Sequence, residues 1–337
     1  MSSRTVLALA GLATLALLAA MPPRVARSQS TPPAVAAPAA PATPPAAVAP
    51  AAPPSPVSGV RNKVSAADLF SAESILEVHR EKHGEDAQWL SGLGWLARGA
   101  LLVGDTAKAR RYAADLRQAC ALRLTDSLPL EQNRDVEGPL GAAIEVEAQL
   151  AERHRGARAA AAFMRAEIAA LRGRPSFDSR LYKRLNMLEL VGKPAPEWAV
   201  EGSLGEPPPS LASLRGKPVV MFLWAEWCAD CRAQAASLAK VLRRHAADSV
   251  RCVALTRWYD ADSLRTREST RVDSVWTAGY ADVGPIPRVF STPAMVRYGG
   301  SSTPTFVFVD RKGIVRGYTP TRLTEAELER HLAAILR

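Results

Sequence analysis

Two cysteines two residues apart, Cys228-Ala229-Asp230-Cys231, are the strongest chemical signal in this 337-residue chain. They follow a short apolar run at residues 219–224 and open a stretch that reads as helix to about Ala246. This spacing puts both sulfurs on the first turn of that helix, where a disulfide closes with little distortion. The first sulfur then meets the unpaired backbone N–H groups and the positive end of the helix dipole, which stabilise a thiolate. The second lies one turn deeper and is more shielded. The expected chemistry is thiol–disulfide exchange, with Cys228 attacking and Cys231 resolving. Such a pair is also half of a zinc site, but zinc needs two more ligands in suitable spacing. Cys120 and Cys252 are isolated, the five histidines are scattered, and the nearest, His245, lies across a helix, so no metal is expected.

The elements that must position this pair are legible around it. Residues 219–224 read as a buried strand, 250–256 as a second and 305–309 as a third. Asp310-Arg311-Lys312-Gly313 is a turn, and residues 314–318 complete a hairpin. Thr324 and Glu327 cap a last helix whose apolar face is Leu328, Leu332 and Ile335. Strand, helix, strand, then hairpin and helix make an α/β layer structure over residues 191–337. Cys252 alternates with Val250 and Ala254, as a buried inert thiol does, and Cys120 beside an apolar helical face reads the same way. A Cys120–Cys252 bridge has no local support. Residues 257–271 read as a charged, exposed insertion helix.

Residues 61–190 read as an all-helical domain. Ser65 and Asp68 form a capping pair ahead of Leu69, Ala72 and Leu76. Trp89, Leu93, Leu96 and Ala100 keep helical spacing up to a break at Gly104-Asp105, and Ala109, Tyr112 and Leu116 begin the return helix. Pro139 opens a third helix, Ala161 to Leu171 mark a fourth and Leu181 to Leu188 a fifth. The hairpin around Gly104 weakly resembles a tetratricopeptide unit, without that family's regular period.

Ahead of this, residues 29–60 are almost entirely Ala, Pro, Ser and Thr, a composition expected to form an extended, disordered linker. Residues 1–28 place Arg4 before an apolar run at residues 6–20, short for a membrane span and suited to an export signal. No clean small-x-small cleavage site follows, so a signal peptide and an uncleaved N-terminal membrane anchor both stand. Either places the body outside the cytoplasm, where disulfide chemistry is permitted. Apolar residues make up 47% and charged residues 23%, which excludes a wholly disordered chain and a polytopic membrane protein. Four cysteines are too few to staple a chain this long. The net charge of +10 falls to +7 without the three arginines of residues 1–28. Basic residues alternate with acids along the helices, so a solvated surface is expected and nucleic-acid binding is not.

The order of motifs resembles the thioredoxin superfamily. Trp224-Ala225-Glu226-Trp227-Cys228-Ala229-Asp230-Cys231 is similar to its active-site strand–helix junction. Thr303-Pro304-Thr305-Phe306 is similar to its cis-proline loop, and Val309-Asp310-Arg311-Lys312-Gly313 to the hairpin that follows. Upstream, Gly192-Lys193-Pro194-Ala195-Pro196 and residues 211–217 resemble the N-terminal extension of TlpA/ResA-like extracytoplasmic thiol–disulfide oxidoreductases. The likeness covers residues 191–337 and leaves the helical domain outside. It implies a thioredoxin-like domain with a central mixed sheet and flanking helices, and a redox-active Cys228–Cys231 disulfide. It also implies a cis bond before Pro304 that lays the Thr303 backbone beside Cys228, and no cofactor. Trp227 is expected to shield the sulfur and present an apolar surface, with Trp224 either there or in the core.

The sequence departs from that family where the family keeps acids. Phe222 stands where thioredoxins carry a buried acid, Gln234 where ResA-like relatives carry a glutamate, and Ala236 in place of a helix proline. Asp230 and Glu226 are the remaining local carboxylates. Asp230 either opposes the Cys228 thiolate by its charge, making the couple more reducing, or faces solvent and matters little. The resemblance implies reduction of protein disulfides, with electrons from a membrane thiol donor and apocytochrome c among the substrates. An oxidase or isomerase using the same site is the first alternative. A protein-binding module built on the helical domain, with a weak dithiol, is the second. A peroxiredoxin is disfavoured because Ala225 stands where a Thr-x-x-Cys site needs threonine.

Overall fold

A computed structural model describes residues 55–337. The export signal or anchor and most of the linker lie outside the described residues. Helix α1 (Pro56–Ser65) starts within the stretch expected to be linker. Ser55 caps it by accepting the Ser58 N–H, and Pro56 sits at the first helical position, where its missing N–H costs nothing. Val60 and Val64 enter the core, so residues 56–60 belong to the helical body rather than to the linker. The proline that suggests disorder is here a helix start.

Helices α2 (Leu69–His83), α3 (Ala87–Leu102) and α4 (Thr106–Ala121) are capped by Asp68, Asp86 and Asp105, each accepting a backbone N–H. Asp68 is therefore the cap itself and Ser65 the last residue of α1, not a pair within one box. Gly104 turns the chain between α3 and α4 at φ +85°, a conformation that favours glycine. The third and fourth expected helices form one long element, α5 (Arg134–Ala170), interrupted at Gly156 where φ is +81°. It begins five residues before Pro139, which lies inside it. Helix α6 (Pro175–Glu189) follows. Consecutive helices pack against one another around a single apolar cluster that includes Leu90, Leu116, Ile144 and Leu181.

The C-terminal part is a six-stranded mixed sheet. Its strands are β1 (Gly202–Leu204), β2 (Val219–Leu223), β3 (Arg251–Thr256), β4 (Arg288–Phe290), β5 (Thr305–Val309) and β6 (Val315–Thr319), in the order β1-β4-β3-β2-β5-β6. Strand β2 pairs parallel with β3 and antiparallel with β5. It is covered on both faces, which is why all five of its residues are apolar and buried. Alternate residues feed two separate cores. Val220 and Phe222 face the side of α7 (Ala229–Arg244), α8 (Arg265–Gly279) and α10 (Glu325–Leu336). Val219, Met221 and Leu223 face the side of Trp198, Tyr298 and the short α9 (Thr292–Arg297).

The expected exposed insertion helix is half buried. Residues 257–264 are mainly loop, α8 starts at Arg265, and its Glu268, Val272 and Trp276 are buried. Charge along 257–271 hid an inner face that becomes visible only once Trp276 is counted with it.

Cys120 lies in the helical core and Cys252 in the sheet core, and both are free. Burial pushes their thiols up to about 11 and about 12. Both should resist iodoacetamide in the folded protein at mildly alkaline pH and react fully in denaturant. Mass spectrometry showing rapid native alkylation at either would contradict this burial.

Candidate active site

Strand β2 ends at Leu223 beneath Trp224, and the chain turns through Ala225–Trp227 into α7. Cys228 is the N-cap residue of that helix, with φ −76° and ψ 106°, and its sulfur accepts the Cys231 N–H at 3.0 Å. The two sulfurs are joined as a disulfide across a Cα separation of 5.2 Å. Cys228 keeps 5% of its surface exposed and Cys231 none, so the first cysteine is the reachable one. The sulfur of Cys228 lies 3.4 Å from the Thr303 carbonyl oxygen, and the Thr303–Pro304 bond is cis. The structure thus brings together Cys228, Cys231, Thr303 and Pro304 across 75 residues of chain. An acceptor carbonyl beside the Cys228 sulfur, next to an edge of irregular backbone, is a place where an extended polypeptide can pair.

The flanking residues separate into two groups. Trp224 is fully buried and packs edge-on to Trp276 at 5.0 Å and against Tyr280 at 5.1 Å, so it is core. Its indole N–H and the Tyr280 hydroxyl are both buried without a partner, and burial pushes the Tyr280 phenol up to about 12. Trp227 is 63% exposed and meets Tyr259 edge-on at 5.7 Å. It presents the apolar surface beside the sulfur.

Asp230 faces solvent and pairs with Arg322 at 3.6 Å, both well exposed. The reading in which its charge opposes the Cys228 thiolate loses its basis, because an exposed, paired and screened carboxylate exerts little field. Glu226 is the opposite case. It is buried and accepts the Arg271 Nε–H at 2.5 Å, while Arg271 also binds Asp260 at 3.0 Å. Burial holds the Glu226 carboxyl above its ordinary value, with Arg271 pulling the other way. Fully buried Glu268 accepts the backbone N–H groups of Tyr259 and Asp260 at 2.8 and 3.2 Å. Together these groups fix the 257–260 loop against the cysteine turn. No sequence signal marks them, since Glu226 and Arg271 are 45 residues apart.

The two absent acids also have structural replacements. Phe222 stacks on Phe306 at 5.3 Å, extending the aromatic cluster under the site. Gln234 is buried and clamps the Leu323 backbone from both sides, its oxygen accepting at 2.7 Å and its amide donating at 2.9 Å. A glutamate could not donate the second bond while ionised, so glutamine here ties the start of the last helix to α7. Among the described residues no cluster of His, Cys, Asp and Glu has metal-binding geometry.

A family model described as AhpC/TSA matches residues 191–318. Among curated proteins, the chain is similar to the thioredoxin-like protein YneN of Bacillus subtilis, 26% identical over 42% of this chain and 78% of that protein. It is also similar to the thiol:disulfide interchange protein DsbE of Allochromatium vinosum, 29% identical over 38% of this chain and 65% of that protein. The protein of the same name from Yersinia pestis is 43% identical over 20% of this chain, but only 37% of its own length is spanned. The chain therefore spans less than two thirds of either interchange protein. A solved thiol:disulfide interchange protein of Chlorobium tepidum aligns at 21% identity with a TM-score of 0.32, covering 44% of this chain and 98% of that one. None of these matches exceeds 44% of the chain.

Proposed function

We propose, on the premise that the C-terminal part of this chain is a thioredoxin-superfamily domain of the thiol–disulfide oxidoreductase type, that the protein reduces disulfides of other proteins outside the cytoplasm through Cys228 and Cys231. The observation that carries this reading is the placement of Cys228 at a helix N-terminus, 3.0 Å from an amide N–H and 3.4 Å from the Thr303 carbonyl. The N–H stabilises a thiolate, and the carbonyl offers a pairing partner to the substrate backbone.

The cycle balances as follows. In the reduced protein the Cys228 thiolate attacks one sulfur of a substrate disulfide. That S–S bond breaks, a mixed disulfide forms, and the departing substrate sulfur takes a proton. Cys231 then gives up its proton and attacks the Cys228 sulfur. The mixed disulfide breaks, the second substrate sulfur is protonated, and the Cys228–Cys231 disulfide remains. Two electrons have moved to the substrate, and a dithiol donor must return them. By the resemblance to TlpA/ResA-like proteins that donor is a membrane thiol carrier, and apocytochrome c is a candidate substrate. An N-terminal signal or anchor at residues 1–28 suits this setting. Among the described residues no helix is long and apolar enough to cross a membrane.

The test is twofold. Insulin-disulfide reduction should be accelerated by the wild-type protein, and its reduction potential should lie nearer that of thioredoxin, about −270 mV, than that of a strong oxidant at about −120 mV. A value at the oxidising end would reverse the direction of flow.

The AhpC/TSA match favours a second reading, peroxide reduction at Cys228. Ala225 argues against it: the position three residues before the cysteine is buried and carries no hydroxyl. Peroxide consumption by the reduced protein should not exceed that of Cys228→Ser.

A further inference from the structure

The helical body and the sheet domain meet beside the dithiol. Helix α6 lies on the loop that leads to Pro304. The Ser179 hydroxyl donates to the Met295 carbonyl at 3.0 Å, the Asn186 amide to the Arg297 carbonyl at 2.8 Å, and Lys183 Nζ to Ser302 at 3.3 Å. Between them is a cleft of about 870 Å³. One wall is helical, from α3, α5 and α6. The other consists of Trp227, Tyr259 and the Gly300–Thr303 backbone. Thr303 is the residue whose carbonyl lies 3.4 Å from the Cys228 sulfur, so the cleft runs on from the point where exchange would occur.

Its charge is lopsided. Four cations, Arg98, Arg180, Lys183 and Arg257, face it with one carboxylate, Glu145. Glu145 serves three of them at once, 3.2 Å from Arg98, 2.8 Å from Arg180 and 3.4 Å from Lys183. Arg257, across the cleft, lies over the Tyr259 ring at 4.4 Å. Three positive charges are left over in a concave, partly desolvated site. Burial pushes the Arg98 guanidinium below its ordinary value, with Glu145 pulling the other way.

We infer that this cleft holds the polypeptide flanking the attacked disulfide, and that its surplus of cations selects protein substrates with Asp or Glu beside the reactive cysteine. The inference rests on the dithiol reading above. It gives the helical body a role the cysteine motif does not need: supplying half of a substrate groove.

The experiment uses the pre-reduced protein in single turnover, so the Cys228–Cys231 dithiol is the electron source. The probes are three short fluorescence-quenched peptide disulfides, identical except for glutamates, serines or lysines flanking the cysteine. Hydroxyethyl disulfide serves as an uncharged small probe. At low salt the acidic peptide should react about 10- to 100-fold faster than the basic one, a range typical of electrostatic steering into a charged cleft. The ratio should collapse toward one at about 1 M salt, where the screening length is about 3 Å. Arg257→Gln should lower the acid-to-base ratio severalfold, and Glu145→Gln, which frees more positive charge, should raise it, with thermal melts confirming that both variants fold. Wild-type protein that reduces hydroxyethyl disulfide but treats acidic and basic peptides alike within about twofold overturns the inference and leaves the dithiol reading intact. Failure to reduce hydroxyethyl disulfide overturns the dithiol reading, and this inference with it.

Discussion

Cys231→Ser protein, expressed in its own cell envelope, is expected to accumulate disulfide-linked adducts that disappear when Cys228→Ser is added. The physical reason is access. Cys231 has no exposed surface, and its partner sulfur sits one helical turn away at the helix start with a little. On the proposed mechanism a substrate sulfur therefore meets Cys228, and the bond formed there is released by attack from Cys231. Serine in that place is no nucleophile toward disulfides, so the intermediate persists. In solution Cys228→Ser should slow insulin reduction by about 10³-fold or more, the scale on which losing a nucleophile leaves only the rest of the site. Cys120 and Cys252 cannot substitute, being buried with thiols pushed up to about 11 and about 12. Diagonal reducing gels separate the outcomes. Adducts that survive in the double variant would refute Cys228 as the attacker. No adducts from Cys231→Ser would favour a protein in which the helical body binds partners and the dithiol is idle.

The second large effect is one of packing. Gly299 has φ +72°, and a Cβ built on it would fall 2.7 Å from the Lys183 N and Cβ and closer still to its Cα. The neighbour is helix backbone, which cannot swing aside as a side-chain tip does. Gly299→Ala should cost about 1–2 kcal/mol for the left-handed conformation and about 1–3 kcal/mol for overpacking against α6. For a chain of this size each kcal/mol lowers the melting temperature by about 1–2 °C. Gly104→Ala is the matched control, with φ +85° and nothing within 4 Å of the added carbon, so it carries the conformational cost alone. Calorimetry should show the Gly299 variant melting clearly below the Gly104 variant. Equal melting temperatures would mean that α6 does not press on the loop before Pro304. Because Lys183 and Gly300, on either side of that contact, line the cleft, the Gly299 variant should also lose discrimination among charged peptides.

The limits of the sequence reading follow from what each feature depends on. The helix start at Cys228, the strands β2, β3 and β5 and the capping box at Thr324 are local, set by apolar runs, turn residues and short spacing, and each stands within a residue or two of its expected place. The edge strand β1 and its neighbour β4 are three residues each and lack a run long enough to register as strands. Pro56 misled because a proline at a first helical turn and a proline in a linker look alike until the following valines are seen to be buried. Asp230 and Glu226, two carboxylates in one motif, could not be told apart by composition. One finds Arg322 in solvent, and the other, itself buried, finds the half-exposed Arg271 45 residues away in the chain.

Sequence alone determined the cysteine pair and the strand–helix junction that carries it, because both rest on interactions within a few residues. Only the tertiary structure decided what surrounds the pair. Gln234 holding Leu323, Glu226 meeting Arg271, and α6 closing over the Gly300–Thr303 loop are contacts between distant segments. Their partners are chosen by packing geometry and burial, which no local pattern encodes.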